Sequence, residues 1–148
     1  MPDPQTFRTF CTFTLDNTRL GIDVRHVRES FYLPPHFTQI PLAPPLLVGV
    51  TVFQQSVLPV LKIHSFLNMP NSSRTATTSV IAVEVNDYQV GIWSDTVPRL
   101  RMVDPAGLHV PDEPQPYVSY LFQHEEDLIS VLDLPVLLQD AQHQLEID

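Results

Sequence analysis

Cysteine, glycine and positive charge are all scarce in this 148-residue chain. The single cysteine, Cys11, cannot build an internal disulfide framework, and with no signal-like start the chain is expected in a reducing cytoplasm. Four scattered glycines leave no glycine-rich loop to cradle a phosphate chain. Eight Lys and Arg against seventeen Asp and Glu give a net charge of −9 and a pI near 4.9. Clustered basic residues drive nucleic-acid binding, so no nucleic-acid partner is expected. Long apolar runs are missing as well: Leu42 to Phe53 is too short to span a bilayer and is broken by Pro44 and Pro45, which excludes direct membrane insertion by a helix. What the chain does have is 43% hydrophobic residues with only 17% charged, enough for a folded core in one compact domain. Fifteen prolines predict short strands and turns with few long helices.

Phe7, Cys11, Phe13 and Leu15 share one parity and Arg8, Thr12 and Thr14 the other, so Phe7 to Leu15 reads as a half-buried strand. Asp16-Asn17-Thr18 turns the chain, and Leu20, Ile22 and Val24 alternate on the return, completing a hairpin. His26 to Ser30 reads as a short helical turn. Thr38 to Ile40, Val48 to Phe53 and Ser56 to Ile63 read as further strands, with Pro59 placing the last at an edge or a bulge. The polar stretch from Asn68 to Thr78 reads as a linker.

The second half repeats the first. Val83 to Ile92 lies on Phe13 to Ile22 at a constant offset without a gap, and Leu128 to Leu134 lies on Val57 to Ile63 with one further residue of shift. A five-stranded unit of this size has too little core alone, which predicts two small β-barrels sharing one core. The expected domain spans 1–148, with approximate subdomains 14–68 and 77–138, a linker at 68–78, and the first strand and a C-terminal helix packing across. Asp133 is placed to cap that helix, Pro135 stands in its first turn, and Leu134, Leu137, Leu138 and Ala141 fall at helical spacing.

No catalytic constellation emerges. The six histidines are dispersed, without the paired spacing of a metal site, and His124-Glu125-Glu126-Asp127 reads as a solvated hairpin turn between two apolar runs. Cys11 shares a strand face with Phe7 and Phe13 and reads as core. Asp95-Thr96-Val97 lacks the glycine of an aspartic protease and has no second copy, so Asp95 reads as a turn or ladder-end residue. No catalytic, cofactor or metal residues are assigned, and binding becomes the default role.

Phe13-Thr14-Leu15, Leu20-Gly21-Ile22-Asp23-Val24, Val27-Arg28-Glu29, Gln39-Ile40-Pro41, Val48-Gly49-Val50-Thr51, Leu58-Pro59-Val60, and Val90-Gly91-Ile92 with Asp95 and Val97 follow one another in an order and spacing that resembles the bacterial chemotaxis adaptor family CheW, from about Phe7 to Leu138. The resemblance implies a mainly β fold of two intertwined five-stranded barrel subdomains with short helices, and no catalysis. It also implies a cytoplasmic adaptor that couples methyl-accepting chemoreceptors to the regulatory domain of a CheA-type histidine kinase, in chemotaxis or surface motility. Where the family has an Asn-Leu-Arg-Gly turn this chain has Val52-Phe53-Gln54-Gln55, so Gln54 replaces the arginine associated with receptor contact, and Lys62 replaces an acidic residue. Val27 and Glu29 are retained. The candidate interaction residues are therefore Val27, Glu29, Val52, Phe53, Gln54, Gln55 and Trp93. Trp93 is an interface anchor if its strand face is exposed, and a core residue between subdomains if it is not. A ligand-binding barrel or a self-assembling structural subunit stands as the alternative.

Overall fold

A computed structural model describes residues 6–35 and 37–146, without the side chain of Glu146. Residues 1–5, 36 and 147–148 of the expected domain lie outside the described residues. Among the described residues ten strands and one α-helix follow in order: β1 Arg8–Leu15, β2 Thr18–Asp23, β3 Val27–Tyr32, β4 Leu47–Phe53, β5 Ser56–Leu61, β6 Ser79–Val85, β7 Tyr88–Ser94, β8 Arg99–Val103, β9 Val118–His124, β10 Asp127–Leu132 and α1 Leu134–Glu146.

The repeated hairpins are alike in their hydrogen-bond register. Phe13 faces Leu20 and Leu15 faces Thr18 in β1·β2, while Val83 faces Val90 and Val85 faces Tyr88 in β6·β7. Both close over two residues at positive φ, Asp16-Asn17 and Asn86-Asp87, the tight turn that matches strand twist and that Asn and Asp tolerate. The second repeat pairs in parallel: Val60 lies beside Gly91, and at the matching position Val131 lies beside Gly21.

Those parallel pairs exchange strands between the repeats. One sheet has the order β8-β1-β2-β10-β9 and the other β3-β6-β7-β5-β4. Each sheet thus takes one hairpin from its own half of the chain and three strands from the other. The boundaries 14–68 and 77–138 delimit the sequence repeats, and the sheets do not follow them, because strand order is set by pairing partners distant in sequence. The second sheet curls until its two edge strands meet, with Phe31 of β3 stacked on Phe53 of β4 at 6.0 Å between ring centroids.

Several local expectations change. Where a helical turn is expected at His26 to Ser30, Val24–His26 forms a 3-10 turn, capped by the Asp23 carboxylate accepting from the Arg25 amide, and Val27 to Tyr32 is edge strand β3, where polar Arg28, Glu29 and Ser30 face solvent. Thr38 makes a single bridge to Val50 in place of a strand. Pro59 lies in the sheet interior, between β7 and β4. Its partner Val50 gives both backbone hydrogen bonds to Thr38, so Val50 and Pro59 form a non-hydrogen-bonded pair and β4 asks nothing of the missing N–H. The same crossing explains Gly49, where any side chain would strike Phe37 and the Thr38 carbonyl.

Two apolar clusters result. The larger joins the inner residues of the second sheet to one face of β1·β2 and to α1; the smaller contains Phe10, Phe122, Ile129 and Val131 on the other face of the first sheet. β1 is therefore buried on both faces at Phe10, which strict alternation leaves out. The expected helix forms, with the Asp133 carboxylate accepting from the Val136 amide at 3.4 Å and Leu134, Leu137, Leu138 and Ala141 all buried. Although α1 follows a strand of the first sheet, it packs into the cluster centred on the second, which fastens the two together. Leu137→Ala should lower stability by about 2–5 kcal/mol in urea unfolding, whereas Val136→Ala on the exposed side of the helix should change it by less than about 0.5 kcal/mol; equal effects would contradict this packing.

Candidate functional site

The seven candidate residues divide between surface and interior. Val52 and Val57 face each other across β4·β5 at 69% and 68% exposure, an apolar pair at the hairpin tip. Gln54 and Gln55 close that hairpin with φ of 50° and 66°. The tight two-residue turn is thus kept without the glycine or asparagine that adopts it readily, and each glutamine bears the steric cost of left-handed backbone. Phe53 points the opposite way and is buried on Phe31. Val27 is half-buried against the larger core, and Glu29 is exposed beyond a bulge in β3 where Arg28 pairs with Glu84 at 2.7 Å. The outward-facing set is Val52, Gln54, Gln55 and Glu29. Sequence reasoning overlooked Val57, although a two-residue turn places it opposite Val52.

Trp93 is only 3% exposed, which resolves its alternatives toward the core. Its ring lies 4.3 Å below the Lys62 ammonium, and its indole N–H donates to Asp95 Oδ1 at 3.1 Å. Lys62, standing where the family has an acid, also donates to the Ser72 carbonyl at 2.6 Å. Burial lowers its pKa, and the Asp95 carboxylate acts in the opposite direction.

Asp95 directly follows β7 and collects donors from several segments. Its Oδ2 accepts from the Asp16 amide at 2.9 Å and from the Ser72 hydroxyl at 2.6 Å, its backbone N–H donates to the Thr14 carbonyl, and its carbonyl accepts from Thr77. One carboxylate thus ties the β1·β2 turn of the first sheet, the end of β7 in the second and the 68–78 segment. That segment is anchored at both ends, since Arg74 also donates to the Leu33 carbonyl.

Ser72, His64 and Asp95 are in contact, but in the wrong order for a nucleophile. The Ser72 proton goes to the acceptor-only carboxylate, so its oxygen accepts from His64 Nε2 at 3.0 Å. Neutral His64 then carries its proton on Nε2, leaving Nδ1 buried without a partner. No carboxylate orients this imidazole through Nδ1, and the imidazole donates to the serine oxygen instead of accepting its proton; the arrangement fastens segments together. Elsewhere, His124 to Asp127 forms the β9·β10 hairpin turn, with Glu125 at φ 54°. Cys11 is buried, which pushes its thiol up to about 11 and keeps it protonated at neutral pH. Among the described residues no group of three or more His, Cys, Asp or Glu is placed to hold a metal ion, and no helix is long and apolar enough to cross a membrane.

The CheW-like domain profile matches residues 9–142. The chain belongs to the CheW-like family. Protein FrzA of Myxococcus xanthus is 28% identical to it over 141 residues, covering 91% of this chain and 87% of that protein. The fold of the scaffolding protein TtCheW from Thermoanaerobacter tengcongensis superposes with a TM-score of 0.77 at 19% identity, over 88% of this chain and 91% of that one. This CheW-like chain is accordingly a member of a scaffold and adaptor family of chemotaxis and motility signalling.

Two consequences can be measured. Burial, and secondarily the Lys62 charge, lower the His64 pKa below its usual 6.5, against the raising effects of Asp95 and Asp16. The unfolded chain then binds more protons than the folded one just below pH 6.5, so stability is complete above that pH and declines as the pH falls. Thermal midpoints should drop between pH 7.5 and pH 5, and this slope should flatten in His64→Gln; an unchanged slope would contradict the assignment. Replacing Gln54-Gln55 by Asn-Gly should raise stability by about 1–2 kcal/mol through relief of left-handed strain, read from the urea midpoint.

Proposed function

We propose that this chain is a non-catalytic, cytoplasmic adaptor that binds the regulatory domain of a CheA-type histidine kinase and couples it to chemoreceptors in chemotaxis or surface motility. What carries this reading is family membership over nearly the whole chain together with an exposed apolar position that recurs with the repeat. Val57 at the start of β5 and Leu128 at the start of β10 are equivalent positions, 68% and 56% exposed. A linking protein needs two contact faces, and a duplicated fold supplies related ones on opposite sheets. Val52 enlarges the first, and Glu29 and the glutamine turn give it polar surroundings. Loss of the family's turn arginine removes a bidentate donor at Gln54, so the receptor contact in this chain rests on amide hydrogen bonds and apolar area rather than on a guanidinium.

Titration calorimetry against the regulatory domain of a CheA-type kinase from the same genome tests the reading. Saturable binding is expected at concentrations below about 100 µM. Val52→Asp and Val57→Asp, which alter exposed positions and leave the core intact, should each weaken it by about tenfold or more, about 1.4 kcal/mol. No heat with any such kinase domain would overturn the kinase coupling. Trp93→Ala is unsuitable as an interface probe because it removes a core ring.

A further inference from the structure

The chain holds eight basic side chains, and six are engaged internally. Arg8 and Arg25 share Asp23, Arg28 pairs with Glu84, Arg19 lies 3.6 Å from Asp127, Arg74 caps the Leu33 carbonyl, and Lys62 sits on Trp93. Arg99 and Arg101 remain, and neither guanidinium has a partner among the described residues. Both line one cleft of about 520 Å³ at an end of the first sheet.

Their convergence follows from the strand. Arg99 and Arg101 are two residues apart on edge strand β8, opposite Thr12 and Phe10 of β1, so they share a face about 7 Å apart. Ile129 and Phe13 supply apolar surface in the same cleft. Of its two acids, Asp127 faces Arg19, and the Glu125 side chain at the turn is 81% exposed to solvent. Thr14 accepts from Arg19 Nη1 at 3.4 Å, which leaves its hydroxyl proton to donate, and Thr96 lines the cleft as well. The hollow of about 560 Å³ between the Asn86-Asp87 turn and α1 has no comparable feature, its one charged side chain being Asp87.

We propose that this cleft is an anion-binding site for a phosphate monoester. Two unpaired guanidinium forks present more donors than a single carboxylate can accept, whereas a phosphate offers three acceptor oxygens and, near neutral pH, close to two charges. The volume is that of a small-molecule site, and in a chain of net charge −9 a local excess of unpaired cations favours an anion there over the rest of the surface. A free metabolite and a phosphorylated side chain both offer this group.

The test is an amide and arginine side-chain NMR titration of the whole chain with inorganic phosphate, with ionic strength held constant by sodium chloride. Saturable shifts at Arg99, Arg101, Thr14 and Thr96 are expected, with a Kd of about 1 mM or tighter. Binding should weaken at least tenfold in Arg99→Ala/Arg101→Ala and partly in Arg99→Lys/Arg101→Lys, which keeps charge but loses the fork. Arg28→Ala, on the other sheet, should leave it unchanged. Adenosine monophosphate and a phosphoserine peptide, compared next, assign the source by which binds more tightly than phosphate alone. Unsaturable shifts, shifts retained in the double alanine variant whose spectrum shows it folded, or tighter binding of succinate than of phosphate would each overturn the proposal.

Discussion

The architecture depends on two short parallel contacts, Val60 beside Gly91 and Val131 beside Gly21. Parallel strands cannot be joined by a hairpin, so each contact requires chain from elsewhere, and each recruits a hairpin from the opposite repeat. Every other part of the arrangement follows from this exchange. Because β1·β2 and β6·β7 stand in sheets completed by the other half of the chain, neither repeat can be lifted out as a domain. The larger core is shared for the same reason, with β1·β2 contributing one face to it and the other to the smaller cluster.

An exchanged fold must also hold its two sheets at a fixed angle, and Asp95 is placed to do so. Its carboxylate is answered by the Asp16 amide from one sheet, by the Trp93 indole from the other and by Ser72 from the connecting segment. Lys62 covers the tryptophan ring on the far side. Apolar packing is non-directional, whereas these hydrogen bonds specify one arrangement. In the adaptor role proposed above, a fixed angle between contact faces has direct functional meaning, since coupling between two sites requires that a change at one be felt at the other.

Hairpins were legible in the sequence because their evidence is local: alternation with period two, an Asp-Asn or Asn-Asp pair at the turn, and a constant offset between copies. The C-terminal helix was legible for the same reason, through Asp133, Pro135 and the spacing of its leucines. Sheet membership was not, because nothing in the composition of β2 states that its second neighbour is β10. Polar Arg28, Glu29 and Ser30 concealed β3, since an edge strand can face water with both backbone and side chains. Trp93 was ambiguous because its repeat equivalent, Asp23, is half-buried and paired with Arg8 and Arg25, so the same position holds an ion pair in one copy and a covered ring in the other. Which candidates face outward was legible only in part: Val52, Gln54, Gln55 and Glu29 lie at the surface, but parity within the hairpin sends Phe53 inward and brings Val57 out.

The exchange of strands also fixes a timetable for synthesis. The second sheet draws all five strands from residues 27–94 and can close while the remainder is still being made. The first cannot, because β1 and β2 are the earliest strands produced and their partners β8, β9 and β10 are the last. A two-stranded hairpin is marginal alone in water. In the finished fold β1·β2 lays the face bearing Cys11, Phe13 and Leu20 on the second sheet, whereas the face bearing Phe10 is covered by Phe122 of β9 and Ile129 and Val131 of β10, the last strands made. The face of β1 that bears Phe10 is therefore covered only once β9 and β10 are in place.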